Sequence, residues 1–284
     1  MKVTLQEIRE RTYKPVDAWW TVLLVDPLAS RLVRLVAPYR WITPNVLTLI
    51  ASIFGFGAAA CFATGDRWAL VAGGVLFHIS FVVDCMDGKI ARLNGTGTMF
   101  GLWLDFVLDR VRVFFIALAL FGGQYARTGD VAYLWLMAVV VFLDLFRYLN
   151  SAQMAKVRRT IKDQIGAYRR PVAAEIEASE DDEMPEPGPV GGGSLKSRIG
   201  QTLRRNRIRT HLFSGIEYEM SVFIIAPITG LIFPVTIAAG AALLAFEMFL
   251  IFKLYQTCRQ FPGKLAAAKA AYEEHEAEHV TSAF

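Results

Sequence analysis

The chain has 284 residues, of which 54% are hydrophobic and 20% are charged, and its mean hydropathy is +0.38. So much apolar surface must be buried in protein or lipid, which excludes disorder of the whole chain and argues against an ordinary soluble domain. Cys61, Cys85 and Cys258 are far apart and predict neither a disulfide framework nor a zinc site. The formal net charge of +4 arises from basic residues gathered in a few segments. This pattern is typical of the cytoplasmic side of a membrane protein rather than of a nucleic-acid-binding protein.

The first predicted element is an amphipathic helix within a cytoplasmic N-terminal segment, residues 1–40. Between Asp17 and Pro38, tryptophans and leucines are interspersed with Arg31 and Arg34. This predicts an interfacial helix that lies on the cytoplasmic leaflet. The first 15 residues are charged and contain no apolar core, so we expect no cleavable signal peptide.

Six predicted transmembrane helices follow. The clearest runs from Trp41 to Gly65, which is 25 positions without a charge, more than the roughly 20 that a bilayer requires. The second begins at Trp68, and the third and fourth cover about 98–125 and 131–148. The last two form a hairpin over 212–255, interrupted by prolines and a glycine near its middle. The expected fold is therefore an all-α polytopic bundle, with helices 1–4 in 41–149 and helices 5–6 in 212–256.

The distribution of basic residues predicts the orientation of the bundle. Lysine and arginine are frequent in the N-terminus, the turn at 89–92, the connection 150–211 and the tail 257–284, and scarce near 66 and in 122–130. Six spans with both termini cytoplasmic satisfy the positive-inside rule at every connection of a protein in the cell membrane. The connection 150–211 has basic, acidic and Pro/Gly-rich parts, and we expect it to be a cytoplasmic loop that is partly disordered.

Two stripes of carboxylates mark the second and third predicted spans. Each stripe follows the spacing of one helix face and alternates acidic with small residues. The stripes contain Asp84, Asp87, Gly88 and Ala91 on one span and Gly101, Asp105 and Asp109 on the next. Between them lies a turn that is marked by asparagine and glycine and is centred near Thr96.

Each aspartate pair is about ten or eleven residues from this turn, which is roughly 16 Å along a helix. If the two helices pack antiparallel, four carboxylates face one another at one depth. They cannot all stay ionised without protons or cations. Two divalent ions would balance a formal charge of −4, and an all-oxygen ligand set suits Mg²⁺ or Mn²⁺. For single positions, helix packing by small residues and a proton relay remain alternative explanations.

Taken together, these residues resemble the signature of the CDP-alcohol phosphatidyltransferase family, and every signature position is filled. The motif reads Asp84-x2-Asp87-Gly88-x2-Ala91-Arg92-x8-Gly101-x3-Asp105-x3-Asp109. The segment Thr43-Pro44-Asn45-x2-Thr48 is also similar to one that these proteins often carry at the start of the first span. The resemblance is strong over about 43–112, and the insertion at 171–195 is not part of the family pattern.

The resemblance implies an enzyme of phospholipid synthesis, like the synthases of phosphatidylglycerophosphate, phosphatidylinositol phosphate and phosphatidylserine. Such an enzyme transfers a substituted phosphate from a CDP-alcohol, usually CDP-diacylglycerol, to a hydroxyl of a polar alcohol and releases CMP. It uses two divalent cations and commonly forms a homodimer. By position, Asp109 would be both metal ligand and general base. The other implied metal ligands are Asp84, Asp87 and Asp105, and the implied neighbours of the nucleotide are Gly88, Ala91 and Gly101.

Other polar residues near the spans have two interpretations each. Arg92 either steers a diphosphate or follows the positive-inside rule, and Asn45 and Thr48 either bind the nucleotide or cap the first span. If the acceptor carries a phosphate, the candidates to hold it include Arg110, Arg147 and Arg158. The alternative is that the intramembrane arginines pair with Asp144, Glu217, Glu219 or Glu247.

Two other functions fit parts of the pattern. An intramembrane prenyltransferase also uses aspartate clusters with Mg²⁺, but its acidic motifs lie on helices well separated in sequence. An ion transporter lined by carboxylates would leave Gly88, Ala91, Arg92 and Gly101 unexplained. The identity of the acceptor alcohol does not follow from these residues.

Overall fold

In a computed structural model, the described residues are 3–39, 41–179, 201–203, 205–209 and 213–282. The helices are α1 (Leu5–Thr12), a π-helical turn (Thr21–Val25) that continues into α2 (Asp26–Val36), α3 (Pro44–Ala63), α4 (Arg67–Asn94), α5 (Met99–Thr128), α6 (Ala132–Ser179), α7 (Gly215–Met220), a second π-helical turn (Ser221–Ile225), α8 (Ala226–Thr229) and α9 (Ile232–Ser282). Within these ranges the only β-type pairing is an isolated bridge between Asp17 and Ile208. The predicted all-α class is confirmed.

Among the described residues, four helices are long and apolar enough to cross a membrane, as expected of a membrane protein. They are α3, α4, the Ala132–Arg169 part of α6 and the Ile232–Ala277 part of α9. The third predicted span coincides with α5, which has 30 residues but carries several charges that lower its hydropathy. The fifth predicted span corresponds to α7, the second π-helical turn and α8, which end at Gly230. These 15 residues cover only about 22 Å as a helix, less than the roughly 30 Å of a hydrocarbon core.

Two helices extend beyond the predicted segment boundaries. The predicted loop 150–211 begins as helix, because α6 continues to Ser179, and no proline or glycine interrupts 132–165. The disorder predicted in the middle of that segment falls mainly on 180–200, which lies outside the described residues. Helix α9 likewise continues past 256 to Ser282, with Pro262 inside it.

The chain forms two compact units. The first comprises Met1–Leu145 and Ser194–Phe246, and the second comprises Phe146–Gly193 and Glu247–Phe284. In the second unit, the rings of Tyr168 and Tyr272 meet edge to face with centroids 6.1 Å apart. The motif residues all belong to the first unit.

Helix α3 is the main packing partner of both α4 and α5. Glycines allow these close approaches. A Cβ at Gly73 of α4 would lie 2.5 Å from the Phe62 ring of α3, and one at Gly123 of α5 would overlap the Phe62 carbonyl oxygen. At the far end of the pair, Asp66 caps α4, and the N–H groups of Trp68 and Ala69 hold the pKa of its carboxyl below the usual value.

The N-terminal segment packs on α4 through one face of its helix. The buried face contains Val25, Ala29 and Val33, and both α1 and α2 contact α4. The opposite face exposes Leu23, Leu24, Leu28 and Leu35. A helix with this distribution matches the predicted amphipathic helix, and its place on the leaflet remains a prediction.

Candidate active site

Three of the four motif carboxylates converge. Oxygen atoms of Asp84 on α4 and of Asp105 and Asp109 on α5 all lie within 4.8 Å of one another. Asp105 and Asp109 are one helical turn apart and therefore share a face. The turn after α4, where Gly95 adopts φ +64°, reverses the chain so that Asp84 lies level with them. This is the register that equal spacing from the turn predicts.

The fourth carboxylate, Asp87, does not belong to this group of three. It lies one turn closer to the end of α4, is only 7% exposed, and accepts a hydrogen bond of 2.5 Å from Thr48 Oγ1 of α3. Thr48 was predicted either to bind the nucleotide or to cap α3. The cap is Thr43, whose side chain accepts from the Val46 N–H, whereas Thr48 links α3 to the acidic motif.

A cavity of about 670 Å³ opens beside the carboxylates. Its walls come from the starts of α3 and α5, the end of α4 and the turn that joins α4 to α5. Its size lies within the range of about 300–1,000 Å³ that is typical of small-molecule sites. Besides Asp87 and Asp105, it is lined by all six residues predicted near the donor, which are Asn45, Thr48, Gly88, Ala91, Arg92 and Gly101.

The two motif glycines keep this cavity open. A Cβ at Gly88 would lie 3.4 Å from Arg92 Nη1, and a Cβ at Gly101 would lie 3.3 Å from Asn45 Oδ1. Side chains at these positions would project among cavity-lining groups. The backbone is therefore accessible to a ligand at both sites.

Arg112 is a residue of this site that the sequence analysis did not assign. Its Nη1 and Nη2 atoms each donate to Asp84 Oδ1 at 3.1 Å, and Nη2 donates to Asp109 Oδ1 at 2.5 Å. The residue is 5% exposed. An arginine in an apolar stretch of a predicted span is itself a signal, because it needs a buried partner.

Arg110 and Arg147, two candidates for an acceptor phosphate, are engaged in ion pairs. In the first unit, Arg110 Nη1 lies 2.7 Å from Asp144 and 3.2 Å from Glu219. In the second unit, Arg147 Nε lies 3.1 Å from Glu247 Oε1. The third candidate, Arg158, is an exposed residue on α6 of the second unit. For Arg110 and Arg147, the structure thus shows the pairing that was the alternative prediction.

The basic residues at the end of α4 attach it to the N-terminal segment. Lys89 is 4% exposed and its Nζ lies 2.7 Å from Asp26 of α2. The same carboxylate accepts from Arg207 at 3.1 Å. Arg92 donates through Nε to the Thr12 carbonyl at 2.8 Å while it also lines the cavity. Lys89 therefore has a structural partner, and Arg92 retains contact with the cavity.

The acidic group has the ligands that a divalent cation requires. Asp105 Oδ1 is buried, and in the described part of the chain it has no hydrogen-bond partner. A buried carboxylate oxygen without a donor is costly and favours a cation. Because all nearby ligands are oxygens, the residues present fit Mg²⁺ or Mn²⁺ better than zinc.

The part of the chain that carries the acidic motif matches a known protein family. The family model described as CDP-alcohol phosphatidyltransferase matches residues 41–175. A phosphatidylinositol phosphate synthase from Corynebacterium glutamicum is 34% identical over 89 residues, which is 31% of this chain and 37% of that protein. A CDP-diacylglycerol–glycerol-3-phosphate 3-phosphatidyltransferase from Cereibacter sphaeroides is 33% identical over 109 residues, which is 38% of this chain and 46% of that protein.

A bifunctional IPC transferase and DIPP synthase from Aquifex aeolicus is 39% identical over 69 residues, 24% of this chain and 15% of that protein. The chain therefore spans less than half the length of each of these relatives. The family model and these three relatives are named as transferases or synthases, and none of them is named as a prenyltransferase or a transporter. The family model spans the whole acidic motif, so residues 41–175 of the chain are similar to the CDP-alcohol phosphatidyltransferase family.

Proposed function

We propose that the protein transfers a phosphatidyl group from a CDP-alcohol, with CDP-diacylglycerol as the first candidate, to a hydroxyl of a second alcohol and releases CMP. The observation that carries this proposal is the convergence of Asp84, Asp105 and Asp109 beside a cavity bordered by Asp87 and the two motif glycines. This arrangement combines ligands for divalent cations with space for a nucleotide.

The four aspartates would hold two divalent ions, Mg²⁺ or Mn²⁺, with Asp105 and Asp109 on one helix and Asp84 and Asp87 on the other. Bound there, the ions would neutralise charge on the phosphate oxygens and the leaving group. The chain itself fixes where those ligands stand. Thr48 holds Asp87 from α3, so three helices contribute to the position of the site.

The donor would occupy the cavity. Gly88, Ala91 and Gly101 leave the backbone open there, and Asn45 provides a polar side chain at the wall. Arg92 places a positive charge at the same cavity, where it can attract a diphosphate. The lipid tails of the donor would lie in the bilayer outside these helices.

Asp109 is the proposed general base. It would accept the proton of the acceptor hydroxyl while that oxygen forms its bond to phosphorus and the bond from phosphorus to the CMP oxygen breaks. Asp109 lies deeper along α5 than Asp105, on the side away from the connecting turn. Asp109 therefore lies beyond the wall of the cavity in which the donor would bind.

The acceptor is proposed to be a polar alcohol, and the names of two relatives indicate where to begin. One is a phosphatidylinositol phosphate synthase and the other uses glycerol 3-phosphate, so inositol phosphate and glycerol 3-phosphate are the first acceptors to test. Arg110, Arg147 and Arg158 remain candidates for holding an acceptor phosphate. For the first two, binding would require exchange of an existing ion pair.

We further propose six spans in the cell membrane, with both termini and the active site cytoplasmic, and a homodimer as implied by the family. The proposed third span, α5, exposes Phe114, Phe115 and Leu118, which suits contact with lipid or with a second copy. Asp105, Asp109 and Arg112 lie at the acidic site instead, and Arg110 pairs with Asp144. Labelling of cysteines introduced into each connection from either side of the membrane would test the orientation.

The enzymatic test uses the purified protein in lipid vesicles with CDP-diacylglycerol, Mn²⁺ and a panel of phosphorylated and unphosphorylated alcohols. We expect CMP release that depends on one acceptor and stops with EDTA. Asp109→Asn should still bind at least one Mn²⁺ ion and lose most turnover, whereas Asp163→Asn, at an exposed carboxylate of α6, should behave like the wild type. Acceptor-independent ion flux without CMP release would refute the proposal.

A further inference from the structure

We propose that Arg112 is a built-in counter-ion of the acidic site, which cross-links Asp84 and Asp109 and competes with divalent cations for them. The inference rests on the proposed function, because it concerns the same carboxylates. It adds a residue that lies outside the acidic motif and predicts how that residue controls metal loading.

The guanidinium of Arg112 connects two helices of the acidic site. Asp84 belongs to α4 and Asp109 to α5, and one guanidinium bonds Oδ1 of both at 3.1 and 2.5 Å. These oxygens belong to carboxylates whose ligand atoms lie within 4.8 Å of one another. A divalent ion bound by this group would therefore lie within a few ångströms of the guanidinium, where like charges repel strongly.

Arg112 and its two carboxylate partners are charged side chains with little exposure to solvent. The Arg112 side chain is 6% exposed, and those of Asp84 and Asp109 are 13% and 24% exposed. Arginine stays protonated in proteins, so its positive charge is permanent. A partly buried ion pair also loses more when one partner is removed than it gains on formation. Arg112 thus supplies compensating charge that the carboxylates would otherwise lack.

Helix α3 leaves space for the Arg112 side chain at Gly55. At Gly55, a Cβ would overlap Arg112 Cδ and lie 2.8 Å from Cγ. The nearby Ser80 hydroxyl is turned away to donate to the Ala51 carbonyl at 2.6 Å. Glycine is therefore needed at position 55 for Arg112 to reach the carboxylates.

The hydrogen bonds of the Arg112 guanidinium depend on the same two carboxylates. In the described part of the chain, all hydrogen bonds of Arg112 go to Asp84 and Asp109, and its buried Nε has no partner. A guanidinium that relies on two carboxylates can be displaced when those carboxylates take a stronger cationic partner. A divalent cation can therefore replace the guanidinium as the positive charge beside Asp84 and Asp109.

The test compares Arg112→Gln with Arg112→Lys, which keeps the charge, and with Arg67→Gln. Arg67 is a matched control because its guanidinium also connects two helices, through the carbonyls of Pro227 and Ile228, at a distance from the carboxylates along α4. Each purified protein is unfolded thermally in EDTA, and Mn²⁺ affinity is measured by electron paramagnetic resonance of the free ion.

We expect Arg112→Gln to melt at a lower temperature than the wild type in EDTA and yet to bind Mn²⁺ at least tenfold more tightly. Arg112→Lys should bind Mn²⁺ within about threefold of the wild type, because the competing charge is kept. Arg67→Gln should change melting alone. Equal or weaker Mn²⁺ binding by Arg112→Gln would overturn the inference, since a purely structural arginine would lower both quantities.

The experiment distinguishes failure of the counter-ion role from failure of the proposed function. If wild-type protein binds no Mn²⁺ and releases no CMP, the proposed function fails. If it does both and Arg112→Gln binds Mn²⁺ no more tightly, only the counter-ion role fails. Should Arg112→Gln not fold, Arg112→Met provides the same comparison, because it also removes the charge and keeps an apolar stem beside Gly55.

Discussion

The sharpest structural prediction concerns two glycines on α3, Gly55 and Gly57. A Cβ at Gly55 would overlap Arg112, whereas a Cβ at Gly57 would meet only Leu76 Cδ1 at 3.8 Å, an ordinary contact. Both positions lie within one helix and gain the same methyl group on substitution by alanine. The pair therefore isolates the effect on Arg112 from the general effect of alanine on the helix.

The size of the effect follows from the distances. Moving Arg112 Cγ from 2.8 Å to the 3.4 Å of an ordinary contact needs a shift of at least 0.6 Å. A shift of that size along the side chain would lengthen the 3.1 Å bonds to Asp84 to about 3.7 Å, beyond hydrogen-bonding range. Losing a hydrogen bond to a charged group costs about 1.5–3 kcal/mol, and alanine returns about 1 kcal/mol of helix propensity.

We therefore expect the free energy of unfolding of Gly55→Ala to lie about 1.5–3 kcal/mol below that of Gly57→Ala, which itself should match or slightly exceed the wild type. The assay is thermal unfolding in detergent with excess EDTA, where the two variants should melt several degrees apart. Mn²⁺ should stabilise Gly55→Ala more than Gly57→Ala. Identical melting of the two variants in EDTA would refute the assigned packing of Arg112 against α3.

Three further changes test other parts of the site. Gly88→Ala should raise KM for the CDP-alcohol about tenfold, or about 1.4 kcal/mol, with unchanged melting, because the new methyl lies 3.4 Å from its nearest neighbour yet enters the cavity. Thr48→Val should lower the stability measured in EDTA by about 1–3 kcal/mol, since Asp87 loses its hydroxyl donor, and Thr48→Ser should restore it. Lys89→Met should lower the free energy of unfolding by about 3–5 kcal/mol, because Asp26 would keep only Arg207 as an ion-pair partner. Adding Asp26→Asn should recover part of the loss, and additive effects of the two substitutions would argue against the ion pair.

Most of the acidic site could be predicted from the sequence because its geometry is local. Helical spacing places Asp105 and Asp109 on one face, and the turn at Gly95 sets the level of Asp84 opposite them. The same reasoning placed Gly88 and Gly101 beside the cavity. The one packing assumption that these inferences required was that the consecutive helices α4 and α5 lie antiparallel to each other.

The contributions of α3 could not be predicted because they depend on tertiary packing. Thr48 meets Asp87 across 39 positions of the chain, and Gly55 receives the stem of Arg112. The pairing of consecutive spans suggested a contact between α4 and α5 alone, whereas α3 packs against both. Local periodicity indicates which residues share a face and leaves open which helix that face meets.

The described ion pairs also indicate where a cation would enter. Asp84 and Asp109 share Arg112, so the deeper half of the motif already has positive charge beside it. Asp87 and Asp105 line the cavity, and within the described ranges neither takes part in an ion pair. The carboxylates of the motif that have no ion pair thus lie at the cavity wall, where the proposed cations and donor diphosphate would bind. If the proposed function and the counter-ion role of Arg112 both hold, we expect the first divalent ion to bind on the side of Asp87 and Asp105 and the second to bind as Arg112 releases Asp84 and Asp109.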